Sequence, residues 1–374
     1  MIDAGMNVQL PMNQRPGFVR ALCLIAIALL LPACGKGGGG GLPPGSHGTW
    51  EARVDRPAPG SVGDAQEVKS ASSGNNVYAV WIDSRNGLSF NGSGGVWFNR
   101  STNGGVTWQA TDFRIDRAGG SGFALGVQIV CSGAHVWVVW QDQRNGYSDI
   151  YLTHSSDNGV TWPVGDVRID TDAPGAGDSL NAQIAVQGST VYVVWIDTRI
   201  PNLYEIRLNR SLNDGATWLG NDVRLDDSGT PFGGPQISAS GNRAVVVWSD
   251  LRNGSWNVFM NRTADQGTTW LASDVKLDHT GPGQNAGGPS VAVSGAFVNV
   301  AWIDNRNGKY DIYTNRSTDG GSTWAPTDVR LDTDLPGAGD SIRPQLVASG
   351  ATVYACWEDG RSGSSDIQQT VASR

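Results

Sequence analysis

Between Ala182 and Asp226 the chain alternates short apolar runs with polar turns. Gln183 to Gln187 reads as a short strand, and Gly188-Ser189 turns the chain back. Thr190 to Asp197 is the strongest strand signal, rich in Val and Tyr. Tyr204 to Asn209 predicts a third strand. A polar, Gly-containing stretch follows, and Asp222 to Asp226 predicts a fourth. The same order recurs along the chain. Four antiparallel strands per repeat, apolar on both faces, predict one blade of a β-propeller.

Two motifs mark the repeat. The first is Ser101-Thr-Asn-Gly-Gly-Val-Thr-Trp108, with counterparts Ser155 to Trp162, Ser211 to Trp218, Thr263 to Trp270 and Ser317 to Trp324. The first residues of these boxes lie 54, 56, 52 and 54 positions apart. The second is Trp-x-Asp-x-Arg, starting at Trp81, Trp140, Trp195, Trp248, Trp302 and Trp357. Twelve of the 15 tryptophans fall in the two motifs, counting Trp50, so Trp is a repeat element here. The last repeat, from Pro344 to Arg374, holds only three strands. The stretch Gly48-Thr49-Trp50-Glu51-Ala52-Arg53-Val54-Asp55 reads as a box end and a fourth strand. The expectation is an all-β, six-bladed propeller whose last blade is closed by the N-terminal strand, leaving no open sheet edge.

Composition agrees with many short strands: 51 Gly, 15 Trp and only 17% charged residues. A formal charge of −8 argues against a nucleic-acid binder, which would show a basic face. The four cysteines show no CxxC pair and no metal spacing. Cys131 and Cys356 fall at apolar strand positions of different repeats and read as buried small hydrophobes rather than a disulfide. The four histidines are scattered, and no HExxH, GxSxG or phosphate-binding Gly loop is present.

At the N-terminus, Arg15 and Arg20 precede the apolar run Ala21 to Leu31. That run is too short to span a bilayer, which needs roughly 20 residues. A basic start, a short apolar core and small residues describe a secretory signal. The ending Leu31-Pro32-Ala33-Cys34 resembles a bacterial lipobox, which implies lipidation at Cys34. Gly35, rather than Asp, after the Cys implies the outer membrane or cell surface. Gly37 to Gly41 then forms a flexible tether. The expected organisation is a signal peptide over 1–33, a tether over 34–46 and the propeller over 47–374.

The boxes resemble the Asp-box signature of the sialidase-like (BNR-repeat) propellers, across 47–374. The resemblance implies a hairpin turn between the third and fourth strands, on the face opposite an active site. Asn103, Asp157, Asn213, Asp265 and Asp319 then hold their turns by accepting backbone N–H bonds. The box Gly takes a positive φ and the Trp packs between strands. Asn-Arg-Ser/Thr at Asn99, Asn209, Asn261 and Asn315 matches a glycosylation sequon only because the third strand runs into the box.

Chemistry is expected on the opposite face. Six Asp-x-Arg pairs stand there: Asp83/Arg85, Asp142/Arg144, Asp197/Arg199, Asp250/Arg252, Asp304/Arg306 and Asp359/Arg361. Six equal copies suggest a scaffold in which adjacent blades exchange ion pairs. The functional alternative is a guanidinium ring that binds an anionic sugar. Carboxylates in two inter-blade loops, Asp170, Asp172, Asp178 and Asp332, Asp334, Asp340, are candidates for Ca²⁺, although the spacing matches no complete EF-hand loop. No other cofactor is expected.

Sialidase catalysis implies a Tyr nucleophile with its Glu, an acid/base Asp and three unequal Arg. This chain is unusually symmetric. Phe113-Arg114-Ile115-Asp116 lacks the Pro of the family's Phe-Arg-Ile-Pro motif and falls in a fourth strand. The catalytic candidates are residues that break the symmetry: Arg343, Glu358, Tyr147 and Tyr310. The reading that follows is a lipid-anchored envelope protein, monomeric, that recognises a glycan or a protein without catalysis. An exo-α-sialidase or related glycoside hydrolase, and a scaffold subunit of an envelope complex, are the alternatives.

Overall fold

The structure, a computed structural model, describes residues 53–56, 63–85, 94–116, 124–227, 230–231 and 233–373. Among these residues every element is a β-strand. Blade one holds β1 (Ala65–Ser73), β2 (Asn76–Asp83), β3 (Gly95–Ser101) and β4 (Phe113–Arg114). Blade two holds β5 (Ala124–Ser132), β6 (His135–Asn145), β7 (Tyr147–Ser155) and β8 (Val167–Arg168). Blade three holds β9 (Ser179–Gln187), β10 (Thr190–Asp197), β11 (Glu205–Ser211) and β12 (Val223–Arg224). Blade four follows with β13 (Gln236–Ser240), β14 (Arg243–Asp250), β15 (Asn257–Thr263) and β16 (Val275–Lys276). Blade five has β17 (Ala286–Ser294), β18 (Phe297–Asn307), β19 (Lys309–Ser317) and β20 (Val329–Arg330). Blade six has β21 (Ser341–Ser349), β22 (Thr352–Asp359) and β23 (Asp366–Ser373).

Each blade is a simple antiparallel meander, so the sheet order follows the chain. The first strands pack on one another in succession, β1 on β5, β5 on β9 and so on to β17 on β21, and therefore line the axis. Second strands are buried on both faces because successive side chains point to neighbouring blades. Trp137 and Val139 pack on Val191, Val193 and Trp195 of blade three. Val136, Val138 and Trp140, one position out of phase, pack on Tyr78, Val80 and Phe98 of blade one. Fourth strands are only two residues long, shorter than the run Asp222 to Asp226 suggested. Asp222 and Asp226 spend their carboxylates on neighbouring backbone and Arg groups and leave the ladder.

The sixth sheet holds three strands among the described residues. On its face away from blade five, Tyr354, Ile367 and Val371 are 38%, 47% and 53% exposed, whereas Tyr78 and Tyr192 are 0% exposed in the same register. Trp50, expected in the closing strand, lies outside the described residues. Residues 53–56 are described and pair with no strand. They lie against blade one, where Val54 O accepts a bond from Asn99 Nδ2 at 2.8 Å.

Candidate functional site

The six Trp-x-Asp-x-Arg motifs fold into self-contained clips. In each, the Asp accepts from the Trp indole, from the Arg backbone amide and from the guanidinium. In blade three these bonds are Trp195 Nε1 at 3.0 Å, Arg199 N at 2.9 Å and Arg199 Nε at 2.7 Å, all to Asp197. Burial works against the Asp197 charge, yet the bonds from Arg199 and Trp195 leave its carboxyl below the usual range. The guanidinium also reaches an Asp just before the fourth strand of its own blade. The pairs are Arg85–Asp112 at 2.8 Å, Arg144–Asp166 at 2.9 Å, and Arg199–Asp222, Arg252–Asp274 and Arg306–Asp328 at 2.7 Å each. Beneath the guanidinium lies a third-strand aromatic ring: Trp97 under Arg85, Tyr151 under Arg144, Phe259 under Arg252, Tyr313 under Arg306. In blades one to five the Arg thus ties the second strand to the fourth across the third.

This geometry corrects two expectations for Asp83/Arg85, Asp142/Arg144, Asp197/Arg199, Asp250/Arg252, Asp304/Arg306 and Asp359/Arg361. Their principal ion pairs run within a blade, not between blades. The guanidiniums are already engaged by their own carboxylates, so they form no ring of free anion-binding groups. Only Arg361 lacks the second carboxylate among the described residues; it meets Asp359 and Thr333 Oγ1.

The boxes are hairpin turns at the other end of the blades. Asp157 Oδ1 accepts from Val160 N at 3.0 Å and Thr161 N at 2.9 Å, and Oδ2 accepts from Thr161 Oγ1 at 2.6 Å. Bonds from Thr161, side chain and backbone, hold the Asp157 carboxyl down to about 2, and Thr269 does the same for Asp265. Asp319 is lowered likewise through Thr323. Asn103 and Asn213 use Oδ1 the same way, accepting from Thr107 N and Thr217 N. The sequon asparagines are buried: Asn209 Nδ2 donates to Ile169 O of the preceding blade, and Asn261 Nδ2 to Leu225 O.

The Ca²⁺ candidates assemble differently from the sequence expectation. Asp170 and Asp172 come together with Asp149, a third-strand residue that sequence reasoning missed. Asp332 and Asp334 gather likewise with Asp311 around Arg330. Asp178 and Asp340 stay apart from the clusters and accept from Ser148 N and Tyr310 N. Arg168 sits among the first three carboxylates as the counter-charge. Burial pushes the Asp170 carboxyl up to about 7, against Arg168. The Pro-Gly turn closes over the cluster because Gly175 has φ +65° and a Cβ there would lie 2.2 Å from Asn145 O. The donor set is one that a hard cation takes, but the guanidinium already holds that place.

Asymmetry concentrates at the channel mouth, at the end of the first strands remote from the boxes. Five first strands carry a β-bulge there, each with one residue at positive φ: Glu67 (56°), Gly126 (63°), Asn181 (56°), Gly288 (57°) and Arg343 (57°). Gly adopts this conformation freely. For Glu67 and Arg343 it is a strained one, of order 1–3 kcal/mol. The neighbouring blade caps the bulge: Asn181 N donates to Gln141 Oε1 at 2.6 Å and Gly288 N to Ser249 Oγ at 3.0 Å. Gly126 N donates to Glu67 Oε2 at 2.6 Å. Gln141 and Ser249 are the variable second residues of their Trp-x-Asp-x-Arg motifs. Glu358 holds the same place in blade six and pairs with Arg343 at 2.8 Å.

Of the four catalytic candidates, then, the structure joins Arg343 to Glu358. Tyr147 is 57% exposed where β7 begins, and Tyr310 belongs to β19. Sequence reasoning found Arg343 but missed Glu67 and Asn181. The available signal was a side chain at a position where sister repeats have Gly. Cys131 and Cys356 are half-buried, and burial pushes the Cys131 thiol up to about 11. Cys34 lies outside the described residues.

The fold and its turns define a β-propeller built on Asp-box repeats. No family model matches the chain, and no curated protein matches it. Among solved structures the chain is similar to the α-L-arabinanase of Penicillium chrysogenum complexed with arabinobiose. That alignment shows 13% identity and a TM-score of 0.48, and covers 83% of this chain and 93% of the other. It is also similar to the α-L-arabinofuranosidase of Fusarium graminearum, at 14% identity and a TM-score of 0.46, covering 80% and 89%. The Trypanosoma rangeli sialidase aligns at 14% identity and a TM-score of 0.46, covering 83% of this chain and 55% of the sialidase.

Proposed function

We propose that this chain is a recognition protein of the cell envelope that binds a glycan, or a glycan-bearing protein, at the channel mouth without turning it over. The observation that carries this reading is the set of exposed bulge residues held at positive φ, two of them strained. Glu67, Asn181 and Arg343 put three different polar groups on one end of the ring, where Gly would relieve the strain. Strained residues persist where a surrounding structure and a function hold them. An amide, a carboxylate and a guanidinium together suit hydroxyls and a carboxylate on a sugar.

The test is a glycan array probed with the purified chain, including sialylated and arabinose-containing glycans, alongside hydrolysis of fluorogenic sialosides and arabinofuranosides. Binding that is lost in Arg343→Gly and Glu67→Gly, with no turnover, supports the reading. Turnover lost in Arg343→Ala would replace it with a glycoside hydrolase whose site includes that Arg. Binding to no glycan, with no turnover, rejects the glycan and leaves an envelope scaffold.

A further inference from the structure

Strand register defines one position near the start of each third strand. The clip Asp pairs across to Glu205 in blade three, Asn257 in blade four and Asp311 in blade five. The residues just ahead of these partners are Tyr204, Trp256 and Tyr310. In blades one, two and six the partners are Gly95, Asp149 and Asp366, and the residues ahead of them are Gly94, Ser148 and Ser365. Three consecutive blades therefore carry an aromatic ring where the other three carry Gly or Ser.

The position lies at the seam between blades, beside the bulges of the channel mouth. Trp256 N donates to Asn285 Oδ1 at 3.0 Å, and Tyr310 N donates to Asp340 Oδ1 at 3.1 Å. Trp256 O accepts from Ala286 N at 2.8 Å. Asn285 and Asp340 immediately precede β17 and β21, whose bulges hold Gly288 and Arg343 at positive φ. Each ring is thus pinned through its backbone to the head of the next first strand. A Cβ on Gly287 would lie 3.5 Å from Trp256 Cε3, so that ring lies against the backbone of blade five at the mouth. At the seam that follows Tyr204, a Cβ on Gly234 would lie 3.0 Å from Asn181 Cβ, which places the Asn181 bulge against blade four.

Rings that served the seams alone would be buried, as the second-strand tryptophans Trp195, Trp248 and Trp302 are at 0% exposure. Tyr204 instead is 49% exposed, and Trp256 and Tyr310 are half-buried. Exposed polar groups stand among them: Asn181 and Arg343 on the bulges, Asn253 and Lys309 on the loops. A sugar ring with all its hydroxyls equatorial carries C–H bonds on both faces and hydroxyls around its rim. Its faces pack on aromatic rings, whose negative π-faces attract C–H hydrogens. Its rim pairs with amides, carboxylates and guanidiniums. Rings repeated at successive seams call for a ligand that repeats as well.

We propose that the mouth takes an extended oligosaccharide of gluco-configured pyranoses, laid along the arc from blade three to blade six. Sugars of one glycan stack on Tyr204, Trp256 and Tyr310, while Asn181 and Arg343 meet their hydroxyls. A single terminal sugar engages one ring and leaves the others unused. The inference rests on the glycan reading above and adds the class of glycan and its extended form.

The test is titration calorimetry of the purified chain with cellohexaose and chitohexaose, and with glucose and N-acetylglucosamine as their single units, beside the glycan array. One hexasaccharide or both should bind about tenfold or more tighter than the single unit. Tyr204→Ala and Trp256→Ala should each weaken that binding by roughly tenfold, and Trp256→Phe, which keeps a ring, should retain it. Circular dichroism and melting temperature confirm that the variants fold, and the exposed Tyr204 tests the idea even where Trp256→Ala does not fold. A hexasaccharide that binds no tighter than its single unit, or whose binding survives Tyr204→Ala and the folded Trp256→Ala, overturns the inference. A different glycan from the array, bound through Arg343 and indifferent to the aromatic variants, overturns it and leaves glycan recognition standing. Binding to no glycan at all rejects both.

Discussion

The backbone amide of Arg56 donates to Oδ2 of Asp112 at 2.8 Å. The same bond recurs at the exits of β8, β12 and β16: Thr171 to Asp222, Asp227 to Asp274 and His279 to Asp328. Arg56 therefore occupies the exit of the fourth strand that precedes blade one. Counting back in the repeat, Asp112, Asp166, Asp222, Asp274 and Asp328 each stand two residues before the Arg or Lys of an Arg/Lys-x-Asp sequence. In Glu51-Ala52-Arg53-Val54-Asp55 that position is Glu51.

Arg361, which lacks a second carboxylate, is then the expected partner of Glu51. Glu51→Gln should lower stability by about 1–2 kcal/mol, the range for a hydrogen bond to a charged group. Arg361→Met should add little on top of it. A double-mutant cycle by thermal melting checks this, and additive effects would mean that the two residues do not meet.

The clips predict a contrast by burial. The Arg85 side chain is 4% exposed and pairs with Asp83 and Asp112. Arg85→Met strands two buried carboxylates and should cost about 3–5 kcal/mol. Arg361, 26% exposed and paired with Asp359 and, by the repeat, with Glu51, should cost only about 1–2 kcal/mol as Arg361→Met. Chemical denaturation of the two variants decides this; equal losses would reject burial as the source of the clips' stability.

The boxes predict an acid limb. Asp157 and Asp265 fold with carboxyls near 2, below the ordinary 3.8. Their contribution is complete above pH 3.8 and is lost as the pH falls through about 2, because the unfolded chain takes up protons first. The Asn boxes at Asn103 and Asn213 do not titrate. Asp157→Asn, Asp265→Asn and Asp319→Asn together should leave the melting temperature near neutral pH almost unchanged and flatten its fall between pH 4 and 2. A triple variant with the same acid limb as the parent rejects the box carboxylates as its source.

Much of this architecture is legible in the sequence because it is carried by repetition. The boxes, the second strands and the four-strand meander are read from residues that recur at fixed offsets, and each works through bonds to its own neighbourhood. What the sequence hid depends on contacts between strands and loops that are far apart along the chain. Nothing in Asp149 marks it as a neighbour of Asp170 and Asp172, since they meet only after blade two closes on the following loop. In blades one to five the Arg of the clip reaches an Asp more than twenty residues on, across an intervening strand. Glu67 and Asn181 were passed over because a bulge is set by strand register rather than by residue type. Arg343 was noticed because, aligned by sequence, it stands where other repeats have Gly, Ala or Val.

Blade two departs from its neighbours at one point on the box face, and that departure titrates. His154 stands where blades one, three, four and five have Arg100, Arg210, Arg262 and Arg316. Its ring stacks on Trp137 at 4.9 Å, and its Nε2 lies 2.9 Å from Nδ1 of His135. Two neutral imidazoles sharing one hydrogen bond place one N–H between the facing nitrogens, and a proton added to His154 is disfavoured beside His135. Burial, and then His135, push the His154 pKa down from 6.5 to about 4. The unfolded chain protonates this residue at the higher pH, so stability is complete above pH 6.5 and falls as the pH drops from 6.5 to 4. His154→Gln, which cannot titrate, should remove that slope while leaving the acid limb of the boxes in place. Melting temperatures between pH 4 and 7 check it: an unchanged slope in the variant assigns the pH dependence to other groups, and a flattened one assigns it to the His135–His154 pair.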